Sequence, residues 1–320
     1  MSDHPTIDDV RIAMTRIEPF VHRTPVARCG AIDERVGCDV HLKCENLQKV
    51  GAFKARGAMN AVLSLDENTV GRGVVTHSSG NHAQALAWAA RECGVPAHIV
   101  MPTNAPGVKR RAVEGYGGII HECAPTLESR LQTCARVAAQ TGGTVIPPYD
   151  DDRVIAGQGT LALELVAQVP DMEAVVVPVG GGGMISGVAT VIKGMDPSIA
   201  VIGAEPALAD DAIRSKQAGS IQPHVGDPTM TIADGLRTTL GDRTFPIIRD
   251  LVDEILPVEE TEIRAALRLV LERSKLVIEP SAAVGVAAAM QTGFRERGFQ
   301  RIGVVLCGGN LDPDLLPALL

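Results

Sequence analysis

The chain has 320 residues, of which 45% are hydrophobic, 21% charged and 2% aromatic, with a formal net charge of −8. This is the make-up of a folded globular protein, long enough for two core-bearing units. Lacking a basic cluster and an aromatic platform, it offers nothing to neutralise phosphates or stack bases, so nucleic-acid binding is not expected. No apolar stretch is long enough to span a membrane, and Met1 to Pro5 lacks the features of a secretory signal. The cysteines at 29, 38, 44, 93, 123, 134 and 307 form no CxxC pair, so reduced thiols and a cytoplasmic location are expected.

The first informative segment is Asn46-Leu47-Gln48-Lys49-Val50-Gly51-Ala52-Phe53-Lys54-Ala55-Arg56-Gly57-Ala58. It holds Lys54 between two glycines and beside Phe53. A lysine desolvated in such a loop has a lowered pKa, as an amine nucleophile requires, although most lysines are solvated surface charges. A strand is predicted at 73–77, followed by Ser78-Ser79-Gly80-Asn81-His82 and a helix at 83–92. That polar loop holds more candidate helix caps than one helix end needs. Strands at 97–101 and 118–121 and helices at 127–140 and 160–168 follow.

The strand at 174–179 runs into Gly180-Gly181-Gly182-Gly183, then Met184. Successive glycines let backbone N–H groups converge on an anion at a helix start. A strand at 201–204 precedes Glu205-Pro206-Ala207-Leu208-Ala209-Asp210-Asp211, which reads either as a solvated acidic helix start or as hard oxygen ligands for a cation. After Glu279-Pro280-Ser281, a helix at 261–275 having come before it, a last strand at 302–306 ends at Cys307-Gly308-Gly309-Asn310. The strands are continuously apolar and alternate with helices, which predicts parallel sheets in a doubly wound α/β architecture. The polar loops all follow strands, and ligands bind at that edge of an open α/β sheet.

The lysine loop, the Ser78–His82 loop, the glycine run and the Cys307 loop, in this order, resemble the serine/threonine dehydratase and serine racemase family of fold type II pyridoxal-phosphate enzymes, which includes 3-hydroxyaspartate dehydratases. The resemblance covers nearly the whole chain. It implies two open-sheet domains with the active site in their cleft: a large discontinuous domain at 1–72 and 149–320, and a small one at 73–148. It implies that Lys54, beside Phe53, binds the cofactor aldehyde and removes the substrate Cα proton. Gly180, Gly181, Gly182, Gly183 and Met184 would take the phosphate. Ser78, Ser79, Gly80, Asn81 and His82 would take the substrate carboxylate, with Asn81 also at the cofactor 3′-oxygen and Ser79 as the second acid/base. Cys307 would face the pyridine nitrogen, Gly308 beside it would contact the cofactor, and Glu279 would line the ring. Arg130 matches an arginine near bound dicarboxylates. Glu205, Ala209 and Asp211 match a site for Mg²⁺, or Ca²⁺ or Mn²⁺ in its place. A homodimer is expected.

Two departures bear on the substrate. Ala52 stands where many relatives have serine, and Pro148-Tyr149-Asp150-Asp151 looks like the dehydratase form of that loop. The expected activity is therefore a lyase that converts L-serine or L-threonine to a 2-oxo acid and ammonia. The alternatives are 3-hydroxyaspartate dehydratase, giving oxaloacetate; serine or aspartate racemase; and, in a different class, a non-catalytic ligand-binding protein on the same fold. A nicotinamide site is disfavoured because the glycine run lacks GxGxxG spacing. No regulatory domain is expected after the Cys307 loop.

Overall fold

The computed structural model describes residues 4–105 and 107–320, so the polar start at Met1 to Asp3 lies outside the described residues. Among the described residues, ten strands form two sheets. They are β1 (Val26–Ala27), β2 (Asp39–Cys44), β3 (Val74–His77), β4 (Ala97–Pro102), β5 (Ile119–Cys123), β6 (Thr144–Val145), β7 (Ala174–Pro178), β8 (Ala200–Pro206), β9 (Glu254–Val258) and β10 (Arg301–Leu306). The larger sheet has the order β1-β2-β10-β7-β8-β9 and the smaller β5-β4-β3-β6. All neighbours are parallel except β1 and β2.

Both sheets are covered on two faces, as continuous apolar strands require. In β10, an added Cβ at Gly303 would meet Leu165 of the helix Asp152–Gln168, while the next residue, Val304, meets Gly285 of the helix Pro280–Met290. Adjacent strand residues point to opposite faces, so these two helices flank the sheet. In the smaller sheet Val74, Ile99 and Met101 join Leu86 of the helix Asn81–Glu92 in one cluster. Val75 and Val100 join Cys134 and Val137 of the helix Leu127–Thr141 in another.

The strand order explains why distant loops meet. β10 lies between β2 and β7. The loops leaving their carboxyl ends are the lysine loop after Cys44, the glycine run after Pro178 and the Cys307 loop after Leu306. Three segments separated by over a hundred residues thus share one edge of one sheet.

Below that edge, three helices touch at backbone distance. They are Lys54–Leu63, Asp152–Gln168 and Gly183–Met195. A Cβ at Gly157 would lie 2.6 Å from the Gly57 Cα, and one at Gly187 would lie 2.4 Å from the Ile155 carbonyl oxygen and 2.5 Å from the Gly159 nitrogen. The helix at 152–168 starts eight residues earlier than the pattern at 160–168 implies; its first half carries Gly157 and Gly159, which meet the neighbouring helices at backbone distance. Strands β1, β2, β6 and β9 were not among the predicted strands. No helix among the described residues is long and apolar enough to cross a membrane, and all seven cysteines are free thiols.

Gly187→Ala puts a methyl group against backbone, which cannot rotate away, and is expected to destabilise the protein by about 3 kcal/mol. Gly293→Ala, where nothing lies within 4 Å of the new atom, is expected to change stability by less than about 1 kcal/mol. Denaturant unfolding of both variants checks this; equal effects would contradict the contact.

Candidate active site

Lys54 is the first residue of its helix, and Phe53 is the cap. The loop that delivers it is stitched to the end of β10. Phe53 N–H donates to the Cys307 carbonyl at 3.0 Å and Gly309 N–H to the Gly51 carbonyl at 2.9 Å. Ala52 bridges Gly308, and the Asn310 amide donates to the Val50 carbonyl at 2.8 Å. Val50 has φ 53 and Gly51 φ 69, so the turn passes twice through the left-handed region. At Gly51 a side chain would also strike Asn310, 2.6 Å away. The lysine is therefore fixed by backbone bonds to a second strand end.

Lys54 Nζ donates to the Pro148 carbonyl at 2.5 Å and lies 5.0 Å from the Phe53 ring centroid. Burial pushes its pKa down to about 8, against the opposing pull of Cys307 and Glu279. An amine at that value is largely nucleophilic in mildly alkaline solution.

The next residue after Pro148 connects the lysine to the glycine run. A Cβ at Gly181 would fall 2.4 Å from the Tyr149 ring, and one at Gly183 would fall 2.9 Å from the Tyr149 Cβ. Gly182 has φ 88 and caps the helix Gly183–Met195. The Thr244 hydroxyl holds the Gly181 carbonyl at 2.8 Å. The N–H groups of Gly180, Gly181 and Gly182 meet no acceptor among the described residues. Free amides at a helix start, with no side chain able to intrude, are an arrangement that suits an anion. Met184 is buried in the first turn of that helix.

Ser78 to His82 joins β3 to its helix. Gly80 is the cap, with no side-chain capping bond; the Ser78 hydroxyl accepts Gly80 N–H at 3.3 Å, while Ser79 and Asn81 are not spent on capping. Asn81 instead spans the two sheets. Its Nδ2 donates to both Glu279 oxygens at 3.0 and 3.1 Å, and its Oδ1 accepts from Asn310 at 2.9 Å. The amides of Ser79, Asn81 and His82 have no acceptor outside helical pairing. The His82 side chain turns away, to the Ile146 carbonyl at 3.1 Å. Burial, then Lys54, holds that imidazole down to about 3, so it stays neutral.

Glu279 caps the helix Pro280–Met290, and its N–H donates to the Gly308 carbonyl at 3.0 Å. Burial, then Asp234, pushes its carboxyl up to about 7, with the Asn81 bond pulling the other way. The buried Cys307 thiol is raised well above its ordinary value, by burial and then by Glu279. It is a neutral group at the end of β10.

Arg130 lies on the helix Leu127–Thr141, near the ends of β3 and β5: burial and then Arg130 hold the His77 imidazole down, while burial raises the Cys123 thiol against the opposing pull of Arg130. Its Nε is buried with no hydrogen-bond partner. Glu205, at the end of β8, accepts Ala212 N–H at 2.9 Å and Ile213 N–H at 3.0 Å. Asp211 accepts Leu240 N–H at 2.9 Å, while its other oxygen has no hydrogen-bond partner and faces His224 Nδ1 at 3.4 Å. Burial raises both carboxyls, Glu205 well above its usual range and Asp211 to about 6. Among the described residues no three His, Cys, Asp or Glu side chains gather as a metal cluster. Any cation here would rely on two carboxylates, the buried Ala209 carbonyl and water.

The structure thus brings Lys54, the glycine run, Asn81, Glu279 and Cys307 to one cleft edge, and sets Glu205, Ala209 and Asp211 apart at the end of β8. The sequence did not single out Pro148 as the lysine's acceptor, Tyr149 as the packing partner of the glycine run, or Thr244 as the hydroxyl that holds it. The short Pro148-Tyr149 segment was visible, but no periodicity says which loop it will lie against.

Residues 17–308 match the family profile described as "Pyridoxal-phosphate dependent enzyme". The chain is 45% identical to the serine racemase of Dictyostelium discoideum over 316 residues, covering 98% of each. It is 46% identical to the beta-hydroxyaspartate dehydratase of Paracoccus denitrificans over 313 residues, again 98% of each. The solved structure of maize serine racemase matches with a TM-score of 0.95 and 47% identity, covering 98% of this chain and 96% of that one. A buried lysine with a lowered pKa, a glycine run at a helix start and full-length likeness converge: the chain belongs to the pyridoxal-phosphate dependent enzymes, with the two-sheet fold type II architecture of the dehydratases and racemases.

Proposed function

We propose that the protein is an ammonia-lyase for β-hydroxy amino acids, taking L-serine or L-threonine to a 2-oxo acid and ammonia. The observation that carries this is the neutral, buried Cys307 at the ring end of the site, with its thiol raised well above the ordinary value. Pyridoxal phosphate supplies a carbonyl for the substrate amine and a ring that delocalises charge from Cα. A neutral thiol beside the ring nitrogen would offer it no charged partner, which would keep that delocalisation modest and favour early loss of the β-hydroxyl.

The other roles follow from the donors in the cleft. The Gly180–Gly183 amides fit the phosphate. The Ser79, Asn81 and His82 amides fit the substrate carboxylate, with Ser78 and Gly80 completing the loop. Lys54, held by the Pro148 carbonyl with a pKa near 8, accepts the Cα proton. The Asn81 side chain would meet the cofactor oxygen, and Glu279 and Gly308 would line its ring. Ser79, as the acid on the opposite face, allows racemisation as a minor path. The stretch around the smaller sheet acts as a small domain closing on the larger one, and the protein works as a homodimer in the cytoplasm.

A second reading, 3-hydroxyaspartate as substrate, is favoured by Arg130. Its buried Nε without a partner, near the start of the carboxylate loop, is the donor a second carboxylate would satisfy. A 46% identical relative carries the name beta-hydroxyaspartate dehydratase. The test is keto-acid release from serine, threonine and the 3-hydroxyaspartate isomers under one condition, compared as kcat/KM. Serine or threonine is expected to lead, with Arg130→Ala changing their kcat/KM less than about tenfold. If hydroxyaspartate leads, and Arg130→Ala lowers it by about a hundredfold or more, the second reading replaces the first. D-serine forming faster than any keto acid would contradict both.

The reading includes a divalent cation at Glu205, Ala209 and Asp211. Two buried carboxylates raised by burial, one with an unpartnered oxygen, are stabilised by a cation, and hard oxygen donors suit Mg²⁺, Ca²⁺ or Mn²⁺. Because a cation that binds only the folded state stabilises it, millimolar Mg²⁺ or Ca²⁺ is expected to raise the melting temperature by several degrees. Asp211→Asn is expected to abolish that rise. A melting temperature indifferent to exhaustive chelation would contradict the site.

A further inference from the structure

The proposed site draws its walls from two sheets. The carboxylate loop belongs to the smaller sheet, while Lys54, the glycine run, Glu279 and Cys307 belong to the larger. A substrate that touches both needs the sheets held at a fixed separation. An ion pair joins the two sheet units: Lys109 Nζ lies 2.6 Å from Asp234 Oδ2. Lys109 is on the helix Gly107–Gly115, which packs against the helix Asn81–Glu92 that begins at the carboxylate loop. Asp234 opens the short turn Asp234–Leu236. That turn is fixed to the opposite wall: Gly235 N–H donates to the Ser281 hydroxyl at 3.0 Å, and a Cβ at Gly180 would lie 3.0 Å from the Leu236 Cα. The pair therefore ties the backbone behind the carboxylate loop to the backbone behind the phosphate cradle. Both charges also act on Glu279, Asp234 raising and Lys109 lowering its carboxyl.

We propose that Lys109 and Asp234 are positioning residues whose ion pair clamps the carboxylate loop against the cofactor wall, so that breaking it weakens substrate binding more than turnover. The inference rests on placing Ser78–His82 and Glu279 on opposite walls of one site, not on which hydroxy amino acid is the substrate. Both side chains are partly exposed, at 28% and 41%. A pair so exposed is screened by salt and shifts an equilibrium by about twofold to fivefold.

The test uses holoenzyme carrying Lys109→Ala, Asp234→Ala, or the charge swap Lys109→Asp with Asp234→Lys. Arg110→Ala is the control, because it breaks only the Arg110–Glu122 pair within the smaller sheet unit, 2.7 Å long. Each single variant is expected to raise KM about threefold to fivefold with kcat within about twofold, and the swap to recover most of the loss. Wild-type KM is expected to climb toward the variants' at about 1 M salt, while theirs stays flat. Amide exchange across residues 107–115, which needs no substrate, is expected to quicken in the single variants and slow again in the swap. Lys109→Arg, which keeps the charge, is expected to behave as wild type if the alanine variants fold poorly. Unchanged KM and exchange in both alanine variants, or a swap as impaired as they are, would overturn the clamp. If no hydroxy amino acid is turned over, the proposed activity fails while the exchange measurement still decides the clamp.

Discussion

Four charges buried beneath Lys54 hold the rest of the structure in place. Arg56, two residues after Lys54 on the same helix, is fully buried. It donates to Glu45 at 2.8 Å and to Glu164 at 2.7 Å. Lys43 lies 2.6 Å from Glu164, and the Thr24 hydroxyl completes Glu45 at 2.6 Å. The cluster balances two positive and two negative charges, as a dry interior demands. Burial works against Glu45 as an anion, and the Arg56 guanidinium overcomes it, holding the carboxyl below its usual range. Removing one partner from such a group costs about 3–5 kcal/mol, because the remaining charges stay buried and unpaired. The cluster joins β2, the lysine helix and the helix Asp152–Gln168, the three elements that aim Lys54.

From that anchor the site is built by strand order. β10 is last in sequence but lies between β2 and β7, so the Cys307 loop is wedged between the lysine loop and the glycine run. Its backbone carries the lysine turn through bonds from Phe53 and Gly309. Pro148 and Tyr149 then join the lysine to the glycine run from the other side, through the carbonyl that accepts from Lys54 and the ring packed on Gly181. The smaller sheet enters through Asn81, which is bonded to both Glu279 and Asn310. Chemistry-bearing groups on six segments are thus fixed mostly by backbone contacts, which explains why glycines are concentrated there.

Much of this was legible in the sequence, and the parts that were not have physical reasons. Continuous valine and isoleucine runs identified β3, β7, β8 and β10, because strands buried on both faces carry no polar alternation. β2 escaped notice because Asp39-Val40-His41-Leu42-Lys43-Cys44 places a lysine inside a core strand. That residue is tolerated only because Glu164, 121 residues away, neutralises it. β9 contains Pro257, and β1 and β6 have two residues each, too short for any period to register. The four site loops stood out because free amides need glycine or small residues wherever they occur. The partners that hold those loops did not stand out, because Pro148, Thr244 and Tyr149 act through tertiary contact alone.

The central claim is that Lys54 is the residue that carries the cofactor. Borohydride reduction of the holoenzyme, followed by peptide mapping, tests it most directly. The account predicts a visible absorbance band that disappears on reduction and a pyridoxyl label on the peptide containing Lys54. A label on Lys43 or Lys49, or a protein with no such band, would contradict it.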